Sequence, residues 1–141
     1  MFWAWFGGIN EYEEGALSQT MDIPSGTASL SFWLEIPVCD SVADYLEVKL
    51  DSTQVYLVSG NSPLCGSIGY VQQTVNVNAW ANGGNHTLTF HSETFSNNGG
   101  ISNFFVDDVR LDATAGGPTN TPTPTATPTP TRTPTRTPTP T

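Results

Sequence analysis

Apolar and polar side chains alternate along most of the chain, which is the period of a strand with one buried face. Leu30, Phe32, Leu34 and Ile36 fall on one side, and Ser29, Ser31, Trp33 and Glu35 on the other. Over 45–50 the inward set is Leu46, Val48 and Leu50, with Tyr45, Glu47 and Lys49 outward. Val71, Gln73, Val75 and Val77 share a face, and Leu88 and Phe90 oppose Thr87, Thr89 and His91. Strict alternation over 103–111 groups Phe105, Asp107, Val109 and Leu111 on the apolar side. Weaker alternation marks strands at 2–6, 17–23 and 54–58. Gly7-Gly8, Pro24-Ser25-Gly26, Gly60-Asn61-Ser62-Pro63, Asn82-Gly83-Gly84-Asn85 and Asn97-Asn98-Gly99-Gly100 supply turn chemistry between these segments. No stretch combines a 3.6-residue period with helix caps. About eight short strands with regular turns predict an all-β fold, with two antiparallel sheets packed face to face as a jelly-roll-like sandwich.

The alternation stops at residue 118. Every odd position from 119 to 141 is Thr and most even ones are Pro, with no aromatic or large aliphatic side chain to join a core. Pro fixes its own φ and pushes the preceding residue to extended geometry. The expected division is therefore a sandwich domain over 1–117 and a Pro-Thr-rich linker or stalk over 118–141. Such a polyproline-II-like spacer would reach about 75 Å. Its Thr residues are either O-glycan acceptors or bare linker.

Charge narrows the function classes. All 13 acidic residues precede residue 118, beside only Lys49 and Arg110. A body so acidic lacks the cationic footprint that a phosphate backbone requires, so nucleic acid is not expected as a partner. No apolar run is long enough for a transmembrane helix. Met1-Phe2-Trp3-Ala4-Trp5-Phe6 has no basic start and meets Gly7-Gly8 at once, so it does not read as a signal peptide. The Asn, Thr, Ser and Gly content, the two cysteines and the stalk instead read as a secreted or cell-surface chain. The expectation is that its true start, signal included, lies upstream; the alternative is leaderless export or a cytosolic protein.

Cys39 and Cys65 are the only cysteines. In an export-like composition they are expected to form a disulfide closing the 45–58 hairpin, contributing about 3 kcal/mol on a loop-entropy account. The alternative is two buried thiols. Neither pattern nor spacing makes a zinc motif.

Three motifs act together: Ala4-Trp5-Phe6-Gly7-Gly8 leading to 17–24, Ala28-Ser29-Leu30-Ser31-Phe32-Trp33-Leu34, and the closing Asn103-Phe104-Phe105-Val106-Asp107-Asp108-Val109-Arg110-Leu111. Over residues 4–112 the chain resembles the jelly-roll accessory domains of bacterial secreted proteins, which are related to MAM domains and carbohydrate-binding modules. The resemblance implies a sandwich without catalysis that serves adhesion, glycan binding or spacing. Such domains begin with a further strand before the W-x-G-G element. With Trp5 only the fifth residue, that strand is not expected within this sequence, and an unpaired edge is expected in its place.

Asp107 is the carboxylate that alternation places on an apolar face, where a charge must be paired, hydrogen-bonded or metal-bound. The resemblance implies a structural Ca²⁺ held by an Asp of this closing strand and by ligands from the absent first strand; hard oxygen ligands suit that ion. The alternative is that Asp107 accepts backbone N–H bonds, with Asp108 outward and solvated. Glu11, Glu13 and Glu14 read as an acidic loop after Gly7-Gly8, either solvated or supplying further calcium ligands. His86 and His91 have opposite parity and do not converge on a metal. No carboxylate pair is marked as flanking a glycosidase cleft, and neither a nucleophile elbow nor a phosphate-binding loop is present.

Glycan binding would rest on exposed aromatic rings. Parity nominates Trp33, Tyr45 and Tyr56, with Trp3 and Tyr12 near the acidic loop, while Trp5 and Trp80 are expected to pack. Asn85-His86-Thr87 is a glycosylation sequon. Two functions compete: an extracellular recognition or adhesion module that takes polysaccharide or a cell-surface glycan, and a structural or filament subunit that pairs with its neighbours by strand addition and has no small ligand.

Overall fold

A computed structural model describes residues 3–95 and 100–117. Residues 118–141, with the expected stalk and its expected Thr acceptors, and most of the 97–100 turn lie outside the described residues.

The chain is an all-β sandwich of two four-stranded antiparallel sheets. Its strands are β1 (Ala4–Gly7), β2 (Glu13–Ile23), β3 (Gly26–Glu35), β4 (Tyr45–Leu50), β5 (Thr53–Ser59), β6 (Val71–Asn76), β7 (Gly84–Thr94) and β8 (Asn103–Ala115). One sheet runs β1-β8-β3-β6 and the other β2-β7-β4-β5, so the chain crosses repeatedly between layers. A short 3₁₀ turn, Asn78–Trp80, carries Trp80, which packs half-buried against the core as expected.

The inward sets read from alternation meet in the middle. Leu30, Phe32, Leu34 and Ile36 from β3 and its end face Leu46, Val48 and Leu50 from β4 and Leu88 and Phe90 from β7. Phe32 joins the layers, edge-on to Phe90 at 5.2 Å and to Tyr56 at 5.2 Å, a geometry that sets the positive ring edge on a negative face. Cys39 and Cys65 are joined by a disulfide, with Cα atoms 5.8 Å apart. It ties the segment leaving β3 to the one entering β6, beside an Ile36–Cys65 bridge.

Alternation fails in β8, and the reason is local. Ser31 of β3 pairs with Arg110 but Trp33 pairs with Asp107, so β8 holds one residue more than β3 between these rungs. Asp108 takes the extra turn at φ 46°, in the left-handed region that Asp tolerates. Its N–H donates to Asp107 Oδ1 at 2.8 Å. Before this bulge the inward residues are Phe104 and Val106; after it they are Leu111 and Ala113. The expectation that Phe105, Asp107, Val109 and Leu111 share the buried side is therefore corrected. Asp107 is half-buried on the outer side of its sheet. The burial argument for a metal partner at Asp107 falls with that correction.

The most deeply buried carboxylate among the described residues is Asp44, 1% exposed. Its two oxygens accept from the Phe95 N–H and the Ser102 hydroxyl, fastening the loop before β4 to both sides of the β7–β8 connection. Glu13 and Glu14 are likewise not in a loop but open β2, paired with Thr94 and Glu93.

Candidate functional site

The outer face of the β1-β8-β3-β6 sheet gathers aromatic rings from four strands or their ends. Phe6 of β1 turns inward, so Trp5 turns outward, and register sets Trp5 opposite Phe105. Trp3, Trp5 and Phe105 form a triad, with centroids 5.2 Å apart for Trp3–Phe105, 5.9 Å for Trp5–Phe105 and 6.3 Å for Trp3–Trp5. The indole N–H of Trp5 donates to Asn103 Oδ1 at 2.7 Å. Its ring lies over Gly8, where a Cβ would come within 2.3 Å of an indole carbon. Gly8 also holds φ 95°, so the W-x-G-G motif is a seat for this tryptophan.

Trp33 continues the surface. Between the buried Phe32 and Leu34 it points outward, and it sits opposite Asp107 on one side and Gln72 on the other. Tyr70, entering β6, lies near Asp107 and Glu35: burial first, then these two carboxylates, push its phenol above the ordinary range. Glu35 pairs with Phe105 and accepts the Gly69 N–H at 2.9 Å. With neighbouring strands about 4.8 Å apart, the rows Trp5–Phe105–Glu35 and Asp107–Trp33–Gln72 make one continuous patch. Trp3, Trp5, Trp33 and Tyr70 are 52, 55, 38 and 36% exposed, so the rings are available at the surface. The patch offers flat apolar faces with carboxylates and an amide set between them. Trp5, expected to pack, is thus largely a surface residue, stapled in place by Asn103.

The aromatic residues nominated by parity do not converge. Trp33 belongs to this patch. Tyr45 lies on the outer face of the opposite sheet, its ring edge-on to His91 at 6.0 Å and its phenol pushed up to about 12 by burial and by a hydrogen bond to Glu93. Tyr56 is corrected from outward to inward, because the β4–β5 register shifts between Val48 and Lys49. It packs on Phe32 and donates to Gln73 Oε1 at 3.2 Å. Tyr12 stacks near Phe95, 5.6 Å away, rather than beside Trp3. Asn85 is exposed on β7 and donates to Asp22 at 3.0 Å.

Sequence reasoning missed what surrounds Tyr45. On the outer face of the β2-β7-β4-β5 sheet, His91 places Nδ1 2.9 Å from Glu47 Oε1, and Nε2 3.1 Å from Glu14 Oε1 and 4.0 Å from Glu93 Oε1. Glu47 is almost fully buried there. Burial raises its pKa, but hydrogen bonds from Lys49, Gln54 and His91 outweigh this and hold it below the usual value. The separations in sequence, 77 between Glu14 and His91 and 44 between Glu47 and His91, leave no local motif. The outward parity of Glu47 and His91 was the available signal.

The β1 strand covers only Asn103–Val106 of β8. Along the same edge, no strand among the described residues pairs with 107–115. Between the layers at that edge opens an apolar slot lined by Leu17, Leu88, Phe90 and Val109. Leu17 and Val109 are about half exposed there, at 56% and 45%.

No protein-family model matches the chain, and no curated protein matches it in sequence. Its fold is similar to a solved carbohydrate-binding module, TmCBM61, determined in complex with β-1,4-galactotriose. The TM-score is 0.56 at 18% identity, over 78% of this chain and 69% of that one.

Proposed function

We propose that the chain is a non-catalytic carbohydrate-binding module, secreted or surface-displayed on its Pro-Thr segment, which takes a polysaccharide across the outer face of the β1-β8-β3-β6 sheet. The observation that carries this reading is the aromatic patch of Trp3, Trp5, Phe105, Trp33 and Tyr70, interleaved with Asp107, Glu35 and Gln72. The C–H face of a sugar ring carries partial positive charge and is drawn to the negative face of an indole or phenol. The adjacent carboxylates and amide accept and donate hydrogen bonds to its hydroxyls. The fold shared with a galactotriose-bound module supports the same reading. The test is calorimetric titration against a polysaccharide panel that begins with β-1,4-galactotriose. Saturable binding that Trp33→Ala weakens about tenfold or more supports it, and no binding to any member refutes it.

The uncovered edge of β8 and its apolar slot favour a second reading, in which a strand from another chain extends the sheet beyond β1. Concentration-dependent assembly by light scattering, abolished by Val109→Lys in the slot, would support that reading. A monomer at all concentrations would refute it.

A further inference from the structure

We infer that Glu14, His91 and Glu93 form a binding site for a borderline divalent cation such as Zn²⁺, on the sheet face opposite the aromatic patch. The three ligand atoms, one from each residue, lie within 4.8 Å of one another. Metal–ligand distances of about 2.0–2.1 Å for imidazole and carboxylate in a tetrahedral arrangement require ligand–ligand separations of about 3.4 Å. The observed 3.1 and 4.0 Å separations from His91 Nε2 bracket that value.

The hydrogen-bond inventory points to a cation. His91 Nδ1 is matched to Glu47 Oε1, and a neutral imidazole has only one N–H. With that proton on Nδ1, the lone pair of Nε2 faces the Glu14 carboxylate at 3.1 Å, acceptor against acceptor. A positive centre must sit there, either a second proton or a metal ion. Glu14 and Glu93 are also direct cross-strand partners, an arrangement of like charges that costs stability unless neutralised.

Each ligand has its own support, as metal ligands need. Glu47 orients His91 and is itself held by Lys49 and Gln54. The Tyr45 hydroxyl bonds to Glu93. The Tyr12 hydroxyl donates to Glu14 Oε2 at 3.4 Å. One imidazole with two carboxylates suits zinc better than calcium, which prefers six to eight oxygens. Three protein ligands leave the fourth position to water.

The experiment is calorimetric titration of untagged, full-length protein with ZnCl₂ at pH 7.5, alongside side-chain ¹⁵N spectra of the two histidines. One zinc per chain is expected, with a raised melting temperature and a shift of His91 Nε2 but not of His86. His91→Gln and Glu93→Gln should abolish binding while keeping the metal-free β-sheet spectrum. Glu47→Gln should weaken it roughly 10–100-fold, and Trp33→Ala should leave it unchanged. Absence of saturable binding, or binding that survives His91→Gln, would overturn the site. If a variant does not fold, the wild-type spectra still decide: an unmoved His91 resonance at saturating zinc overturns it as well.

Discussion

The two outer faces of this sandwich share one core and one strand period, yet carry opposite chemistry. On the β1-β8-β3-β6 sheet the outward positions hold Trp3, Trp5, Phe105, Trp33 and Tyr70. On the β2-β7-β4-β5 sheet they hold hydroxyl ladders, Ser18–Thr89 and Thr20–Thr87 at 2.9 Å each, and then the Glu14–His91–Glu47 array. The polar ladders are what a solvated antiparallel face needs, since cross-strand pairs stabilise it and water does the rest. The aromatic pairs also stabilise their sheet, but unlike the hydroxyl ladders they leave a contiguous apolar area in water. The aromatic face is therefore the one on which the proposed glycan site rests, and the charged face the one on which the proposed cation site rests.

Four expected outcomes would sharpen or break this contrast. Both faces depend on the residue that joins the layers, so Phe32→Ala should cost about 3–5 kcal/mol in denaturant unfolding and remove both faces in one cooperative transition. Separate transitions for the two sheets would mean that they are not one unit. Reduction of Cys39–Cys65, which bridges the segments leaving β3 and entering β6, should cost about 3 kcal/mol on the loop-entropy account. Non-reducing mass spectrometry should show a two-hydrogen deficit before reduction.

Smaller effects should separate the faces. Trp33→Ala should weaken glycan binding about tenfold or more, equivalent to about 1.4 kcal/mol, while changing stability by less than about 1 kcal/mol, since Trp33 lies outside the core. The pH effect should be the smallest and should belong to the charged face. The folded-state pKa of Glu47 is depressed, so its contribution is full above the ordinary carboxylate value and is lost as pH falls through the folded value. Wild-type melting temperature should therefore drop below about pH 4, and Glu47→Gln should flatten that limb. An unchanged acid limb in Glu47→Gln would place the sensitivity elsewhere, with Asp51, also depressed by its bonds to His86 and the Thr87 N–H, as the next group to test.

Much of the fold was legible in the sequence because period two is a local property. Leu30 to Ile36, Leu46 to Leu50 and the Leu88–Phe90 pair fell on the core side where alternation put them. Trp33 was legible for the same reason. Alternation counts residues, however, and a bulge changes the count. The left-handed turn at Asp108 reversed β8, and a register shift after Val48 turned Tyr56 inward. Neither leaves a sequence signal, since Asp and Val are ordinary there and the partner strand sets the slip. Asp44 was invisible because its partners, Phe95 and Ser102, are more than 50 positions away. The imidazole–carboxylate cluster was invisible for the same reason: three strands had to be ordered β2-β7-β4 before Glu14, His91 and Glu47 became neighbours.

Backbone amide mapping by NMR with the glycan that binds tightest in the panel tests the central claim most directly. The account predicts that shifts cluster at Trp5, Trp33, Tyr70, Gln72, Phe105 and Asp107, with Thr89, His91 and Glu47 unmoved. Shifts centred on Tyr45 and His91, or scattered over both faces, would contradict the assignment of the aromatic sheet as the binding surface.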